Sequence, residues 1–488
     1  MEQKVILMKT KKTENFSEWY TELIKEAELA DIRYNVKGFV VFLPWSVMSM
    51  MKMYRLYEAE LERTGHVPAW FPALIPERNF HLESKHVEGF TPEVFWVTEA
   101  GGNKLEERLA MRPTSETAMY QMYSLWVQGL KDLPLKIYHS SQVWRHETKA
   151  TRPFIRSREF HWIESHDAFA TREEAVAQVH QDMEMAQNVI TGRFCVPFLF
   201  FRRPQWDKFP GADDTFAADT LMPDGKVLQL PSTHLLGQNF SKPFNITYLD
   251  EKGEKQFVYQ TCYGPAISRI YAAVISVNGD DKGLLLPSCL APMTVAIIPI
   301  YKKGGEEAVL AKCKAVEKSL AAAGIKCTID TTENTPGFKF NKWELKGVPA
   351  RIEIGGREAE SGELTVAMRD TGEKVKVHES KLATEIPRLL AEMDGRIAAK
   401  SRAGFEGKIR DAKDYAELAK VLEIGGFARA PWCSTDFDGK GCADEVKAKT
   451  TGDVRGTLFG KGEKPAAGEK CIHCGKEAKE IVYIARQY

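Results

Sequence analysis

V-W-R-H-E-T-K-A-T-R-P-F-I-R-S-R-E-F, residues 143–160, gathers Arg145, Lys149, Arg152, Arg156 and Arg158 around Glu147. The stretch reads as two strands joined by a flexible loop. Side chains alternate along a strand, so Arg145 and Glu147 are expected on one face. That pair suits a nucleotide: a guanidinium can fork onto a phosphate, and a carboxylate two residues on can accept from an adenine amino group. A solvated basic hairpin would contain the same residues with no ligand. The flanking motifs have to decide between the two.

On the N-terminal side, apolar and charged positions recur at helical spacing over 14–31 and 46–64, the second run closing at Gly65. V-P-A-W-F-P-A-L-I-P-E, residues 67–77, is poor helix and fits an edge strand or an extended interface. On the C-terminal side a helix is predicted over 172–192. Strand-like runs follow at 194–202, 226–230, 244–250, 255–261 and 270–277, with turns at Pro223-Asp224-Gly225 and from Asp250 to Gly253. Many strands before the next helices predict an antiparallel sheet with flanking helices, an α+β first domain. Beyond L-L-L-P-S-C-L-A-P the texture changes. V-A-I-I-P-I, a helix near 305–323, a strand at 325–330, a helix and a strand at 350–355 predict a small α/β domain over about 292–380. Amphipathic helices are expected over 381–424. The Gly-, Lys- and Thr-rich stretch 450–470 is expected to be a loop or flexible insertion. The expected domains are 1–290, 291–395 and 396–488.

A chain of 488 residues fits about three domains, and 43% hydrophobic with 27% charged residues is ordinary for a soluble protein. Lys plus Arg and Asp plus Glu both number 67, so net charge makes no case for nucleic acid; local patches must. M-E-Q-K-V-I-L-M-K-T-K-K lacks the apolar core of a signal peptide and no run reaches bilayer length, which predicts a cytoplasmic protein with no membrane partner. Of nine cysteines, Cys195, Cys262, Cys289, Cys313 and Cys327 are scattered like reduced thiols. Cys433 and Cys442, then Cys471 and Cys474 in a C-x-x-C knuckle, could fill a tetrahedral zinc site, with His473 a substitute ligand; redox chemistry or idle thiols are the alternatives.

Three further motifs carry polar chemistry. In R-P-T-S-E-T, residues 112–117, Thr114 and Glu116 could accept the two N–H donors of a secondary ammonium, as a cyclic imino acid offers; a helix cap reads the same letters. V-L-Q-L-P-S-T-H-L-L-G-Q-N-F sets Gln229, Ser232 and His234 in an apolar run, where a lone histidine is more often a satisfied core residue. C-Y-G-P-A-I-S-R-I-Y-A-A-V-I also fits an apolar helix. Within it Arg269 needs an anion, either a structural carboxylate or a ligand phosphate.

These motifs, with N-G-D-D-K-G-L-L-L-P and P-G-F-K-F-N-K-W-E-L-K-G-V-P-A-R-I-E, resemble the prolyl-tRNA synthetase family of archaeal and eukaryotic type, from about residue 14 to the C-terminus. The resemblance implies a class II catalytic core, an α/β anticodon-binding domain and a C-terminal α+β zinc-binding domain. It implies activation of L-proline with ATP, then transfer of the prolyl group to tRNA(Pro), by a homodimer whose interface includes Pro72. It assigns Arg145 and Arg269 as catalytic, on the ATP phosphates, with Arg145 also on the proline carboxylate. Glu147, Arg156, Ser157, Phe160, Gln229 and Ser232 would bind ATP, the last two near Mg²⁺. Thr114 and Glu116 would take the proline nitrogen, and Trp162, His234 and Phe209 would wall its ring. Glu344 and Arg351, otherwise a surface ion pair, would read anticodon guanines. Cys433, Cys442, Cys471 and Cys474 would hold structural Zn²⁺, and Tyr488 would fold back toward the active site. Core strands fill the interval from Glu159 to Arg269, leaving no cis-editing domain, so low-level activation of cysteine or alanine is expected.

Overall fold

The computed structural model describes residues 8–80, 82, 94–148, 150–301 and 304–488; Lys149 of the basic cluster lies outside them. The basic stretch is a hairpin connection. Strands Leu135–Trp144 and Glu159–Phe169 pair antiparallel from Leu135 opposite Ala168 to Trp144 opposite Glu159. Tyr259–Gly264, Val227–Gly237, Asp214–Leu221 and Leu199–Arg202 extend the sheet in that order, each antiparallel to its neighbour. Val67–Pro68, from the proline-punctuated segment, adds a short parallel edge beside Leu135–Trp144. The expected antiparallel sheet with flanking helices is therefore present.

Helices Pro44–Arg63, Arg172–Ala186 and Ile267–Asn278 cover one face of this sheet. Local chemistry sets their starts. Pro44 takes the first helical position, where a missing N–H costs nothing, and Thr171 and Glu174 form a reciprocal capping box. The run 270–277, expected as a strand, is helical. Every residue of Ile267–Asn278 except Arg269 and Val277 is buried, so no polar face marks the helical period.

A second correction falls at 450–470. Instead of a loop throughout, it contains the strand Asp453–Leu458, which pairs with Glu480–Ala485 on one side and with Leu199–Arg202 on the other. The C-terminal sheet, completed by Phe427–Trp432 and Ile409–Asp411, is thus continuous with the catalytic one. Gly456 permits the junction. Its φ is +118°, and a Cβ there would lie 2.0 Å from the Arg202 carbonyl oxygen. Beside it the buried Arg455 and Arg203 both grip the buried Asp219, at 2.8 and 2.7 Å.

The middle unit alternates as predicted. Its sheet runs Cys327–Ile329, Val295–Pro299, Ala350–Ile354, Glu363–Met368, Lys374–His378, parallel for the first three strands and antiparallel after. Helix Leu382–Glu406 leads from it toward the C-terminal unit. Among the described residues no helix is long and apolar enough to cross a membrane.

Under helix Arg172–Ala186, His66, Asp167 and Asp182 converge in the interior, all buried. Asp182 accepts from Gln178 Nε2 at 2.7 Å and Thr233 Oγ1 at 2.6 Å, and His66 Nε2 lies 3.4 Å from Asp167 Oδ1. Burial and the neighbouring Asp167 push the Asp182 carboxyl up to about 7. The folded protein therefore keeps a proton that the unfolded chain releases in the ordinary carboxylate range, and this contribution to stability is lost as pH rises through about 7. The Asp182→Asn protein should show a smaller fall in melting temperature between about pH 5 and about pH 8 than wild type. Parallel melting profiles would exclude this role for Asp182.

Candidate active site

Period two along Glu159–Phe169 directs Phe160, Trp162 and Glu164 toward one cavity of ≈ 210 Å³. Neighbouring elements converge on it. Helix Ile267–Asn278 contributes Arg269, Val227–Gly237 contributes Gln229, Ser232 and His234, and the turn before helix Glu116–Trp126 contributes Thr114. Arg145 and Phe209 complete the set. Of the residues expected at the ATP and proline sites, Thr114, Glu116, Arg145, Phe160, Trp162, Gln229, Ser232, His234 and Arg269 line this one cavity.

The two guanidiniums are held by aromatic faces. Arg145 lies 5.4 Å from the Trp162 ring centre and donates Nε–H to the Pro113 carbonyl at 3.0 Å; Arg269 lies 5.6 Å from the Phe160 ring centre. Arg269 forms no ion pair among the described residues, and its Nε is buried without a partner. Burial, then the repulsion of Arg145 and Arg156, lowers it to about 10, still charged near neutrality. A half-buried cation facing two others is a site for an anion. Among the described residues no carboxylate forms an ion pair with Arg269, and Glu147 offsets only part of the repulsion of its neighbours.

The floor of the cavity is acidic. Thr114 Oγ1 lies 2.8 Å from Glu164 Oε1 and within hydrogen-bond distance of Glu116 Oε2, while Glu116 Oε1 is buried without a partner. Glu164 was not among the residues singled out by sequence, although it continues the alternation of Phe160 and Trp162. Burial opposes its ionisation, but His139 at 3.1 Å and His166 at 3.8 Å hold its carboxyl well below the usual range. His234 stacks on Phe209 with ring centres 4.4 Å apart, and its nitrogens meet Thr215 Oγ1 at 3.0 Å and Ser232 Oγ at 3.1 Å. Burial, then the positive field of His166, Arg145 and Arg203, lowers it to about 3, so it stays neutral.

Three expected nucleotide contacts stand outside the cavity lining. Arg145 continues the ladder, its N–H donating to the Arg158 carbonyl at 3.0 Å. The Glu147 N–H instead turns back to the Arg145 carbonyl at 2.7 Å, so a tight turn replaces the simple alternation expected for this pair. Glu147 Oε2 lies 3.8 Å from Arg156 Nε, and Arg156 also donates to the main-chain oxygen of Tyr488 at 2.8 Å. The Ser157 hydroxyl is turned to the Glu159 carbonyl. Arg152 faces away, 4.6 Å over Tyr20 of the N-terminal helix.

Away from the cavity, Glu344 and Arg351 come together at 3.1 Å, with the guanidinium 4.0 Å over Phe340 and a second carboxylate, Glu353, at 3.0 Å. Cys433, Cys442, Cys471 and Cys474 converge with all their sulfurs within 4.8 Å of one another, and could hold a metal ion. The Cys433 and Cys442 sulfurs are 3.7 Å apart. A tetrahedron with bonds of about 2.3 Å needs an edge of about 3.8 Å, so the thiols fit zinc. His473 is not among the converging ligands; its Nε2 faces Glu445 at 3.2 Å.

Family models match three successive parts of the chain: a tRNA synthetase class II core domain (G, H, P, S and T) over residues 95–278, an anticodon binding domain over 294–389, and a prolyl-tRNA synthetase C-terminal domain over 415–488. The proline–tRNA ligase of Thermofilum pendens is 52% identical over 480 residues, covering 98% of both chains, and that of Thermococcus kodakarensis is 42% identical over 479 residues with the same coverage. A solved Giardia lamblia prolyl-tRNA synthetase in complex with prolyl-adenylate superposes with a TM-score of 0.95 at 38% identity, covering 99% of this chain and all of that one. A Cryptosporidium parvum prolyl-tRNA synthetase complexed with L-proline and AMP gives 0.92 at 32% identity, covering 99% of this chain and 98% of the other. Paired arginines above an acidic floor, in a chain alike from end to end to these enzymes, leave one assignment: the chain belongs to the prolyl-tRNA synthetase family.

Proposed function

We propose that this chain is an ATP-dependent proline–tRNA ligase that forms prolyl-adenylate and pyrophosphate from L-proline and ATP and passes the prolyl group to tRNA(Pro). One observation carries the reading: Arg145 and Arg269 line the same cavity as Thr114 and Glu116. A nucleoside triphosphate and an imino acid can therefore meet there. The chemistry needs no protein nucleophile. The proline carboxylate attacks the α-phosphate in line, the bond to pyrophosphate breaks, and the terminal ribose hydroxyl of tRNA then displaces AMP from the acyl carbon. Arg145 and Arg269 hold two mutually repelling anions together and stabilise charge developing on the α-phosphate. Glu147 accepts from the adenine amino group, Arg156 and Ser157 flank the nucleotide, and Phe160 packs on the base. Trp162, His234 and Phe209 wall the proline ring.

Mg²⁺ would neutralise charge on the triphosphate when bound. Gln229 and Ser232 would offer it neutral oxygens; Gln229 Oε1 also accepts from Arg203 at 3.0 Å, which fixes its orientation. The catalytic unit is 1–290. Glu344 and Arg351 in 291–395 read anticodon guanines, the arginine forking onto O6 and N7. The four cysteines of 396–488 hold structural Zn²⁺. A homodimer is supported by the segment around Pro72, which leaves Val67, Trp70 and Leu74 exposed, Trp70 at 91%. Nine free thiols suit the reducing cytoplasm.

Arg145→Ala should fold as wild type and lose at least about a hundredfold in proline-dependent pyrophosphate exchange; exchange near the wild-type rate would remove Arg145 from this role. Purified protein should carry one zinc per chain by elemental analysis, and Cys471→Ser with Cys474→Ser should lose it; wild-type protein without metal would end the zinc assignment. A pocket shaped for pyrrolidine rejects smaller side chains by only about 1–3 kcal/mol per missing methylene. Slow exchange with cysteine or alanine is therefore expected, and undetectable exchange with both would contradict this expectation.

A further inference from the structure

The Thr114 hydroxyl has one proton and two buried carboxylates within reach, Glu116 Oε2 and Glu164 Oε1. It can donate to only one of them at a time. When it donates to Glu116, that carboxylate keeps a single open oxygen, Oε1, which is buried and unpartnered. When it swings to Glu164, Glu116 is released entirely and the Thr114 lone pairs turn to the cavity. Two acceptors then face the same space, as a secondary ammonium with two N–H donors requires.

We propose that Glu164 is a positioning residue that draws the Thr114 hydroxyl proton away from Glu116 when proline enters, so that Thr114 and Glu116 together receive both hydrogens of the substrate nitrogen. The inference rests on the proposed proline site and assigns to it a residue that acts through Thr114. The surroundings of Glu164 fit the task. Its Oε1 also accepts the Ser115 N–H at 3.2 Å and its Oε2 lies 3.1 Å from His139 Nε2, so the carboxylate is fixed where it accepts the Thr114 hydroxyl. The same His139 Nε2 lies 2.9 Å from the Ser115 hydroxyl oxygen, which shares that N–H with Glu164, and the Tyr120 hydroxyl holds His166 Nδ1 at 3.0 Å. A Glu164 kept ionised is an acceptor only. A protonated one would donate to Thr114, force the hydroxyl onto Glu116 and close one of the two acceptor positions.

The test uses the full-length protein and pyrophosphate exchange with proline and ATP varied in turn. Glu164→Met removes the acceptor at similar volume, and Glu164→Asp keeps the charge while withdrawing the carboxylate from Thr114. Both should raise the KM for proline, by about ten- to hundredfold for the methionine variant, the range expected for one hydrogen bond to a charged group. The KM for ATP should stay within about twofold of wild type. The disadvantage of N-methyl-L-proline, which offers one N–H instead of two, should shrink in both variants when it is measured as a competitor of proline. Should the methionine protein fail to fold, the aspartate protein carries the same readouts. Folded variants with an unchanged KM for proline would overturn the inference, as would a parallel loss in kcat and both KM values. A wild-type protein without proline-dependent exchange would instead overturn the ligase reading, and this inference with it.

Discussion

Asp219, with no access to water, is gripped by Arg203 and Arg455 at once, and this triad fastens the catalytic sheet to the C-terminal one. A buried carboxylate is tolerable only when its charge is met at close range, and here two forks meet it from different parts of the chain. Both attractions hold the Asp219 carboxyl down at about 2 despite complete burial. The same network reaches the cavity. Arg203 also donates to Gln229, and Arg455 to Gln487, next to the residue whose main-chain oxygen accepts from Arg156. The geometry around Gln229 and Arg156 thus depends on a strand more than two hundred residues away in sequence from the cavity residue Gln229.

A single strand, Glu159–Phe169, divides the interior in two. One face presents Phe160, Trp162 and Glu164 to the cavity, while Asp167 on the other joins His66 and Asp182 beneath the covering helices. A slip of one residue in its pairing with Leu135–Trp144 would exchange these faces. Acidic groups occupy both sides, yet their partners differ: Glu164 is kept ionised by two histidines, whereas Asp182 faces another carboxylate and is pushed upward.

Much of this could be read from the letters because motif order carries architecture. The alternation after residue 292 marked the middle α/β unit, and the ordered motifs with the resemblance they carry pointed to ten residues that share one cavity, Phe209 among them. What escaped had physical causes. Helix Ile267–Asn278 is buried nearly all round, so β-branched residues without a polar face imitated a strand. Asp453–Leu458 hid among glycines and lysines because its stabilising contacts, Arg455 on Asp219 and Gly456 against Arg202, are tertiary. Glu147 left the expected face through a backbone turn that no side-chain pattern announces. Glu164 could have been found: it is two residues past Trp162 and four past Phe160, on the face already assigned to ligands.

His234 stacks flat on Phe209 and keeps a pKa of about 3. An imidazole that does not ionise under conditions where cells live acts as a rigid aromatic tile, fixing the shape of the chamber wall while leaving its charge to the acids below and the guanidiniums above. Acidification of the surroundings would therefore leave both the charge and the contour of this wall as they were.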